Sequence, residues 1–407
     1  MAKFKLRGKE LRNLGYPESP AIGLAINLVK QHYKHEDKAA VLQVLKAVLE
    51  NPESYQSDPL LGKIAEALQP DTSAIDRLVQ LHSTAQPYTV FGAEGIEAGA
   101  HTQMETAMRL PITLGGALMP DAHQGYGLPI GGVLATDNAV IPYGVGVDIG
   151  RRMCLSVFDI SKDYLDKSQD QLTRILQENT RFGQDAFEKP MDDPLFERDE
   201  FSSIPIVKKM RQRAVQQIGS SGSGNHFVEF GLIRLSTADN ALNLPPGTYL
   251  AALSHSGSRG LGANIARHYT KLAMDLCPLP KEAKHLAWLD LDSENGQEYW
   301  AAMNLAGDYA SACHHHIHRR LAKALGTDPL SMVENHHNFA WKEQLPDGKE
   351  VIVHRKGATP AQAGTLGIIP GSMTAPGFVV LGRGHAPALQ SAAHGAGRLL
   401  SRTKAKQ

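Results

Sequence analysis

Through residues 1–85 the apolar side chains recur at helical spacing. From Tyr88 onward they fall in short, often β-branched runs between glycine-rich turns. In the first part, Ser19-Pro20 predicts a helix start with proline at the first helical position, and Ile22, Ile26 and Val29 then share a face. A second helix is expected over Asp37–Glu50, with Val41, Leu45, Val48 and Leu49 inward, and Asn51-Pro52 ends it. Asp58-Pro59 opens a third. In the second part, strands are predicted at Val133–Thr136, Val157–Ile160, Phe227–Phe230, Tyr249–Leu253, Val351–Val353 and Phe378–Leu381. Helices are predicted at Ser168–Glu178, Ile204–Ile218, Ala263–Cys277, Gly296–Ala324 and Pro387–Ser401. Strands and helices intermix without regular βαβ alternation. The expectation is an α+β fold with mixed sheets in one large catalytic domain, residues 86–407, preceded by a helical extension, residues 1–85.

Composition narrows the class. The chain has 407 residues, with 42 basic and 42 acidic side chains, so an anionic partner must meet a local basic patch and not a global field. Three cysteines without a C-x-x-C pair argue against a disulfide framework, and no apolar run approaches the roughly 18 residues of a membrane span. Met1-Ala-Lys-Phe-Lys has no signal-peptide core, which makes the cytoplasm the expected location. The unusual count is 18 histidines.

Many of these histidines sit in small-residue turns. The densest stretch, Gly219–Glu229, reads Gly-Ser-Ser-Gly-Ser-Gly-Asn-His-Phe-Val-Glu. Its Gly/Ser run lets backbone amides approach an anion, and Asn225, His226 and Glu229 follow at once. Comparable clusters are Pro120–Gly127, Gly144–Arg151, Ser254–Gly260, His336-His337-Asn338, His354–Thr359, Pro370–Met373 and His394–Arg398. Imidazoles with a carboxylate suit Zn²⁺, Mn²⁺ or Fe²⁺, and nearby arginines and a lysine suit phosphates. Together they point to phosphoryl or nucleotidyl transfer. Cys313, His314 and His318 lie inside a helical pattern, where they are weighed as core residues ahead of a metal site. No G-x-S-x-G elbow supports a serine hydrolase.

Taken together, in this order from about Tyr88 to Arg402, these clusters resemble the RtcB family of RNA-splicing ligases. The resemblance implies joining of an RNA 3′-phosphate or 2′,3′-cyclic phosphate to a 5′-hydroxyl, using GTP and Mn²⁺, two ions in the family, through a guanylylated histidine. It places the nucleophile at His394 and the metal ligands at Asp148, His226, His255 and His337. Guanylate contacts are implied at Asn225, His226, Glu229, His337, Asn338, Pro370, Gly371, Ser372, Met373, Gly395, Ala396 and Gly397. RNA phosphates are expected at Arg259, Lys356, Arg398 and Arg402. RNA is the implied partner, and archease the family's activating partner.

The sequence departs from the family pattern in places. Asp148-Ile149-Gly150 is followed by Arg151, where the family has a cysteine bridging two manganese ions. A guanidinium donates only and stays charged. Cys154, three residues on, is expected to face the other side of a strand. The family also continues past the His394 motif, and Gly377 stands where a guanine-contacting serine is common. An RNA-binding homologue that does not seal, and a metal-dependent phosphohydrolase on the same scaffold, are the alternative readings.

Overall fold

The structure is a computed structural model that describes residues 6–17, 19–69, 78–372 and 374–397. The N-terminal helices form where capping chemistry starts them. Ser19 Oγ accepts from the Ala21 amide at 3.3 Å and Pro20 opens the helix Pro20–His32. Asp37 Oδ2 accepts from the Ala40 amide at 3.1 Å and opens Lys38–Glu50. Asp58 Oδ1 accepts from the Leu60 and Leu61 amides, and the helix Gly62–Ala67 follows. Ile22, Val29, Val41, Leu45 and Val48 bury their shared faces with Leu11, Tyr16 and Ile64 in a cluster distinct from the main core. Gln297 Nε2 donates to the Gly23 carbonyl at 2.7 Å, and Arg12 pairs with Glu294 at 2.5 Å, joining this lobe to the rest.

Past Tyr88 the fold is α+β. Each of the six predicted strands lies inside an observed one. A five-stranded sheet has the order Thr89–Val90, Thr113–His123, Ile130–Thr136, Glu350–Lys356, Asn338–Gln344. Its first pair is parallel and the others antiparallel. A four-stranded antiparallel sheet has the order Phe227–Leu235, Gly247–Ser256, Arg152–Ser161, Pro329–His336. Two strands run from one sheet system into another. Pro329–His336 becomes Asn338–Gln344 with only His337 between them. Glu350–Lys356 becomes Ala358–Pro360 with only Gly357 between them. Gly357 turns the corner at φ 65°, a conformation other residues rarely adopt, and its amide donates to the His337 carbonyl at 2.7 Å.

Helices Pro205–Gln217, Arg259–Leu276 and the long Glu294–Leu325 supply much of the main core, including buried Tyr269, Tyr299 and Tyr309. Ser293 Oγ caps the long helix at the Gly296 amide, and Gly326 ends it in the left-handed region. Among the described residues, no helix is long and apolar enough to cross a membrane.

The expected helix Pro387–Ser401 is corrected. Its described part is a short 3₁₀ turn, Ala386–Ala388, followed by the strand Ser391–Ala393, which pairs with Ala358–Pro360. Leu389 and Gln390 between them both have positive φ, which breaks any helix. Arg355 holds that turn. It is fully buried, pairs with Glu343 through two bonds of 2.7 and 3.0 Å, and donates to Ser391 Oγ and the Leu389 carbonyl. The glycine-rich Pro120–Gly127 cluster likewise begins inside a strand, since Thr113–His123 extends through it.

Because the N-terminal lobe has its own apolar cluster, Leu45→Ala should cost about 2–5 kcal/mol locally. Leu45 is 1% exposed within it. Hydrogen exchange should rise across Lys38–Glu50 while the amides of the four-stranded sheet keep their protection. Equal loss in both regions would show that the lobe does not open separately.

Candidate active site

The register of the four-stranded sheet brings four strand ends to one rim. Phe227 lies opposite His255, His255 opposite Met153, and Arg152 opposite both Ser256 and His336. His226 precedes the first of these strands, His255 ends the second, Arg151 precedes the third and His337 follows the fourth. Asp148 reaches the same rim from the turn that its carbonyl closes onto the Arg151 amide at 3.2 Å. The loop after His255 can pass because Gly257 has no side chain, for a Cβ there would stand 1.9 Å from Asp148 Oδ1.

The side chains interlock. His226 Nε2 lies 2.9 Å from Asp148 Oδ2, and His255 Nε2 lies 3.1 Å from His337 Nε2. The rings of His337 and His394 are 4.8 Å apart. Thus three predicted imidazole ligands, the predicted carboxylate ligand and the predicted nucleophile share one pocket. Burial, followed by the Arg151 charge, drives His255 well below its ordinary pKa. Burial, then the neighbouring His394 and His255, does the same for His337. Both shifts favour the neutral imidazole, the form that can ligate a metal. Burial alone would raise the Asp148 carboxyl, but the bond from His226 and the charges of Arg151 and Arg259 outweigh it and hold it below the usual value. A carboxylate and three imidazoles are the donor types that suit one divalent ion of the Mn²⁺ or Zn²⁺ kind, though no three of their ligand atoms gather within 4.8 Å as they stand.

Arg151 occupies the middle of that set. Its Nε donates to His255 Nε2 at 3.0 Å and stands 3.6 Å from Asp148 Oδ2. A fixed cation there opposes a dication by Coulomb repulsion, about 4 kcal/mol per unit-charge pair at about 4 Å and an effective dielectric near 20. Cys154 does not substitute, because it pairs with Ser254 and lies on the other face of the sheet. The residues present suit one ion with the guanidinium displaced, and offer no thiolate to bridge a second.

His394 follows the strand Ser391–Ala393, and its Nδ1 lies 2.8 Å from Asp121 Oδ2. Asp121 is 4% exposed near the end of Thr113–His123. A carboxylate hydrogen-bonded to Nδ1 would leave Nε2 as the lone-pair donor; here the two groups are within ion-pair range without hydrogen-bond geometry. Sequence reasoning had Asp121 inside a glycine-rich cluster but gave it no role. The signal was its place in that cluster, and only the packing of Ser391–Ala393 against Thr113–His123 connects it to His394.

The remaining predicted residues fall in several places. Asn338 lies beside His337, and its Oδ1 accepts the Gly357 amide at 2.9 Å. Asn225 sits in the turn before His226, and Glu229 is on the following strand. Pro370, Gly371 and Ser372 form the loop of the hairpin Leu366–Ile369/Phe378–Leu381. That hairpin is tied to Asn335, two residues from His337, by bonds to both Ile368 backbone groups. Gly395, Ala396 and Gly397 continue from His394, with Gly397 lying against the Asp121 backbone. Arg259 opens its helix and donates to Ser220 Oγ at 3.2 Å and to the Gly183 carbonyl. Lys356 is turned inward, its ammonium donating to the Tyr143 carbonyl at 3.0 Å and to the Tyr126 carbonyl. Met373, Arg398 and Arg402 lie outside the described residues.

A histidine paired with a buried carboxylate faces a set of imidazole and carboxylate groups of the kind that hold divalent ions. Comparison with known proteins makes this specific. The family model described as tRNA-splicing ligase RtcB matches residues 103–204 and 197–407. The RNA-splicing ligase RtcB of Escherichia coli strain K12 is 32% identical over 344 residues, 77% of this chain and 81% of that protein. The RNA-splicing ligase RtcB of Mycobacterium tuberculosis strain H37Rv is 33% identical over 351 residues, 70% of this chain and 81% of that protein. The tRNA-splicing ligase RtcB of Thermococcus kodakarensis is 31% identical over 356 residues, covering 71% and 73%. This chain is an RNA ligase. It belongs to the RtcB family.

Two outcomes follow from the electrostatics. Arg151→Ala removes the fixed charge between Asp148 and His255, so Mn²⁺ affinity by calorimetry should rise by about tenfold or more. Equal affinity would mean that the guanidinium does not compete with the ion. Burial lowers Lys356 from 10.5 to about 7. Across that window the unfolded chain keeps a proton that the folded chain has released, so this group makes stability rise with pH and destabilises most below pH 7. In Lys356→Met the rise across the window should flatten in denaturant titrations. An unchanged slope would assign it elsewhere.

Proposed function

We propose that this chain joins RNA 3′-phosphate or 2′,3′-cyclic phosphate ends to 5′-hydroxyl ends with GTP, through GMP carried on His394. The observation that carries the reading is the Asp121–His394 contact of 2.8 Å, with the same ring 4.8 Å from His337. His394 Nε2 attacks the α-phosphorus of GTP, a P–N bond forms, and the bond to the leaving pyrophosphate breaks. The positive charge that develops on the imidazole is stabilised by the Asp121 carboxylate. A 2′,3′-cyclic phosphate is first opened by water to the 3′-phosphate. A 3′-phosphate oxygen then attacks the phosphorus of GMP and breaks the P–N bond to His394, and the 5′-hydroxyl, losing its proton, attacks the activated 3′-phosphorus and expels GMP to leave a phosphodiester. Mn²⁺ held by Asp148, His226, His255 and His337 would neutralise the charge of the triphosphate.

A cavity of about 240 Å³ lies between the Leu366–Ile369/Phe378–Leu381 hairpin and the Ala358–Pro360/Ser391–Ala393 ribbon, lined by Thr359, Thr365, Arg383 and His385 among others. Asn225, Glu229, Asn338, Pro370–Met373 and Gly395–Gly397 are the proposed guanylate contacts. Arg259, Lys356, Arg398 and Arg402 are the proposed RNA phosphate contacts, the first two giving up carbonyl partners to serve. RNA splicing or repair in the cytoplasm is the setting this chemistry suits.

Arg151 favours a second reading, an RNA-binding protein that does not seal, because its guanidinium stands among the metal donors. One assay separates the two. With α-labelled GTP and Mn²⁺, label should appear on the protein and vanish in His394→Ala. Asp121→Asn should slow labelling by about 10²-fold or more, as loss of a tautomer-setting partner does. Absence of label together with normal RNA binding would replace the ligase reading by the second.

A further inference from the structure

The face of the four-stranded sheet turned away from His255 carries a separate cluster. Alternation along Gly247–Ser256 sends Ser254 to the side opposite His255. Register then sets Cys154 beside Ser254 on one flank and beside Glu334 on the other. The long helix crosses this face and presents His314 and His318, four residues apart and so on one side of it. The ligand atoms of Cys154, His314 and His318 all lie within 4.8 Å of one another. Their exposures are 0%, 0% and 2%. Among the described residues this is the group of three potential ligands with that property. Cys313, which the sequence offered as the third member, instead faces Tyr309 and Gly219.

Ser254 Oγ lies between the two imidazoles, 2.6 Å from His314 Nδ1 and 2.7 Å from His318 Nε2. Ser156 Oγ lies 2.7 Å from His318 Nδ1. A plug of hydrogen bonds accounts for the serines and imidazoles but gives the thiol no part. A metal accounts for all of them. Sulfur and two nitrogens are three corners of a tetrahedral site, at about 2.3 Å and about 2.0–2.1 Å from Zn²⁺. The Ser254 hydroxyl is placed for the fourth, after retreating to the roughly 3.3 Å edge such a tetrahedron requires. Ser156 fixes the far nitrogen of His318, the usual orienting partner of a ligating imidazole. All corners come from protein, which marks a structural site and not a catalytic one.

We propose that Cys154, His314 and His318 bind one Zn²⁺, with Ser254 Oγ at the fourth corner, fastening the long helix to the back of the sheet that carries His255. Binding forms the Zn–S bond and releases the thiol proton to solvent. The ion enters as the chain folds, since the ligands are closed off from solvent in the folded protein.

Sulfur makes the test independent of the pocket around His394, where none of the donors is a cysteine. The full chain is produced without a histidine tag in cobalt-supplemented medium and dialysed against chelator. Metal content is measured by mass spectrometry, and near-ultraviolet absorption reads thiolate-to-cobalt charge transfer. Wild type should retain one cobalt ion per chain and show the band. Cys154→Ser and His318→Gln should lose both, while Cys277→Ala and Cys313→Ala keep both. A wild-type protein without the band, or a band that survives Cys154→Ser, overturns the proposal. The wild-type spectrum decides the matter even if a variant fails to fold.

Discussion

The bond from the Gly357 amide to the His337 carbonyl, with Asn338 Oδ1 accepting from the same amide, holds the molecule's chemistry in place. It ties together two points at which the backbone leaves one sheet and enters another. His337 is the single residue at one crossing and Gly357 the single residue at the other. Ala358–Pro360, just beyond Gly357, pairs with the strand that delivers His394. His337 and His394 are thus positioned by the same few backbone hydrogen bonds. Loops that looked independent in the sequence converge because they are the ends of strands whose registers are already fixed.

Much of this was legible before any coordinates. Helical period and capping residues located the N-terminal helices, since Ser19, Asp37 and Asp58 each form the bonds that their positions imply. Runs of β-branched residues located strand interiors. The failures have particular causes. Pro387–Ser401 has helical spacing, yet Leu389 and Gln390 adopt positive φ, and the buried Arg355 that sustains this lies more than thirty positions earlier. Ala98–Met108 is a helix whose short and polar side chains leave almost no periodic signal. Thr113–His123 carries two glycines and a proline, and is a strand that the sequence pattern did not predict.

The site was legible as a list and not as an arrangement. Asp148, His226, His255, His337 and His394 do share a pocket. What local pattern could not supply was pairing. Asp121 reaches His394 through strand contacts, and Cys154 reaches His314 and His318 across a sheet and a helix. Arg151 shows the value of both levels. Sequence marks it as a cation where a ligand is expected, and the structure places its Nε between an imidazole and a carboxylate. Its charge adds to burial in lowering His255, and to the His226 contact in holding Asp148 below its usual value. It favours the protonation states that a metal needs while standing in the metal's way.

The shared crossings have a mechanical corollary. Two sheets joined only by loops can rock against each other, and a pocket between them opens and shuts as they do. Here one strand passes from the four-stranded sheet into the five-stranded sheet through His337, and another from the five-stranded sheet into the Ala358–Pro360/Ser391–Ala393 ribbon through Gly357, beside His394. Thermal breathing should therefore concentrate at the outer margins, such as the exposed turn around Asn240, and leave the spacing of His337 and His394 nearly constant.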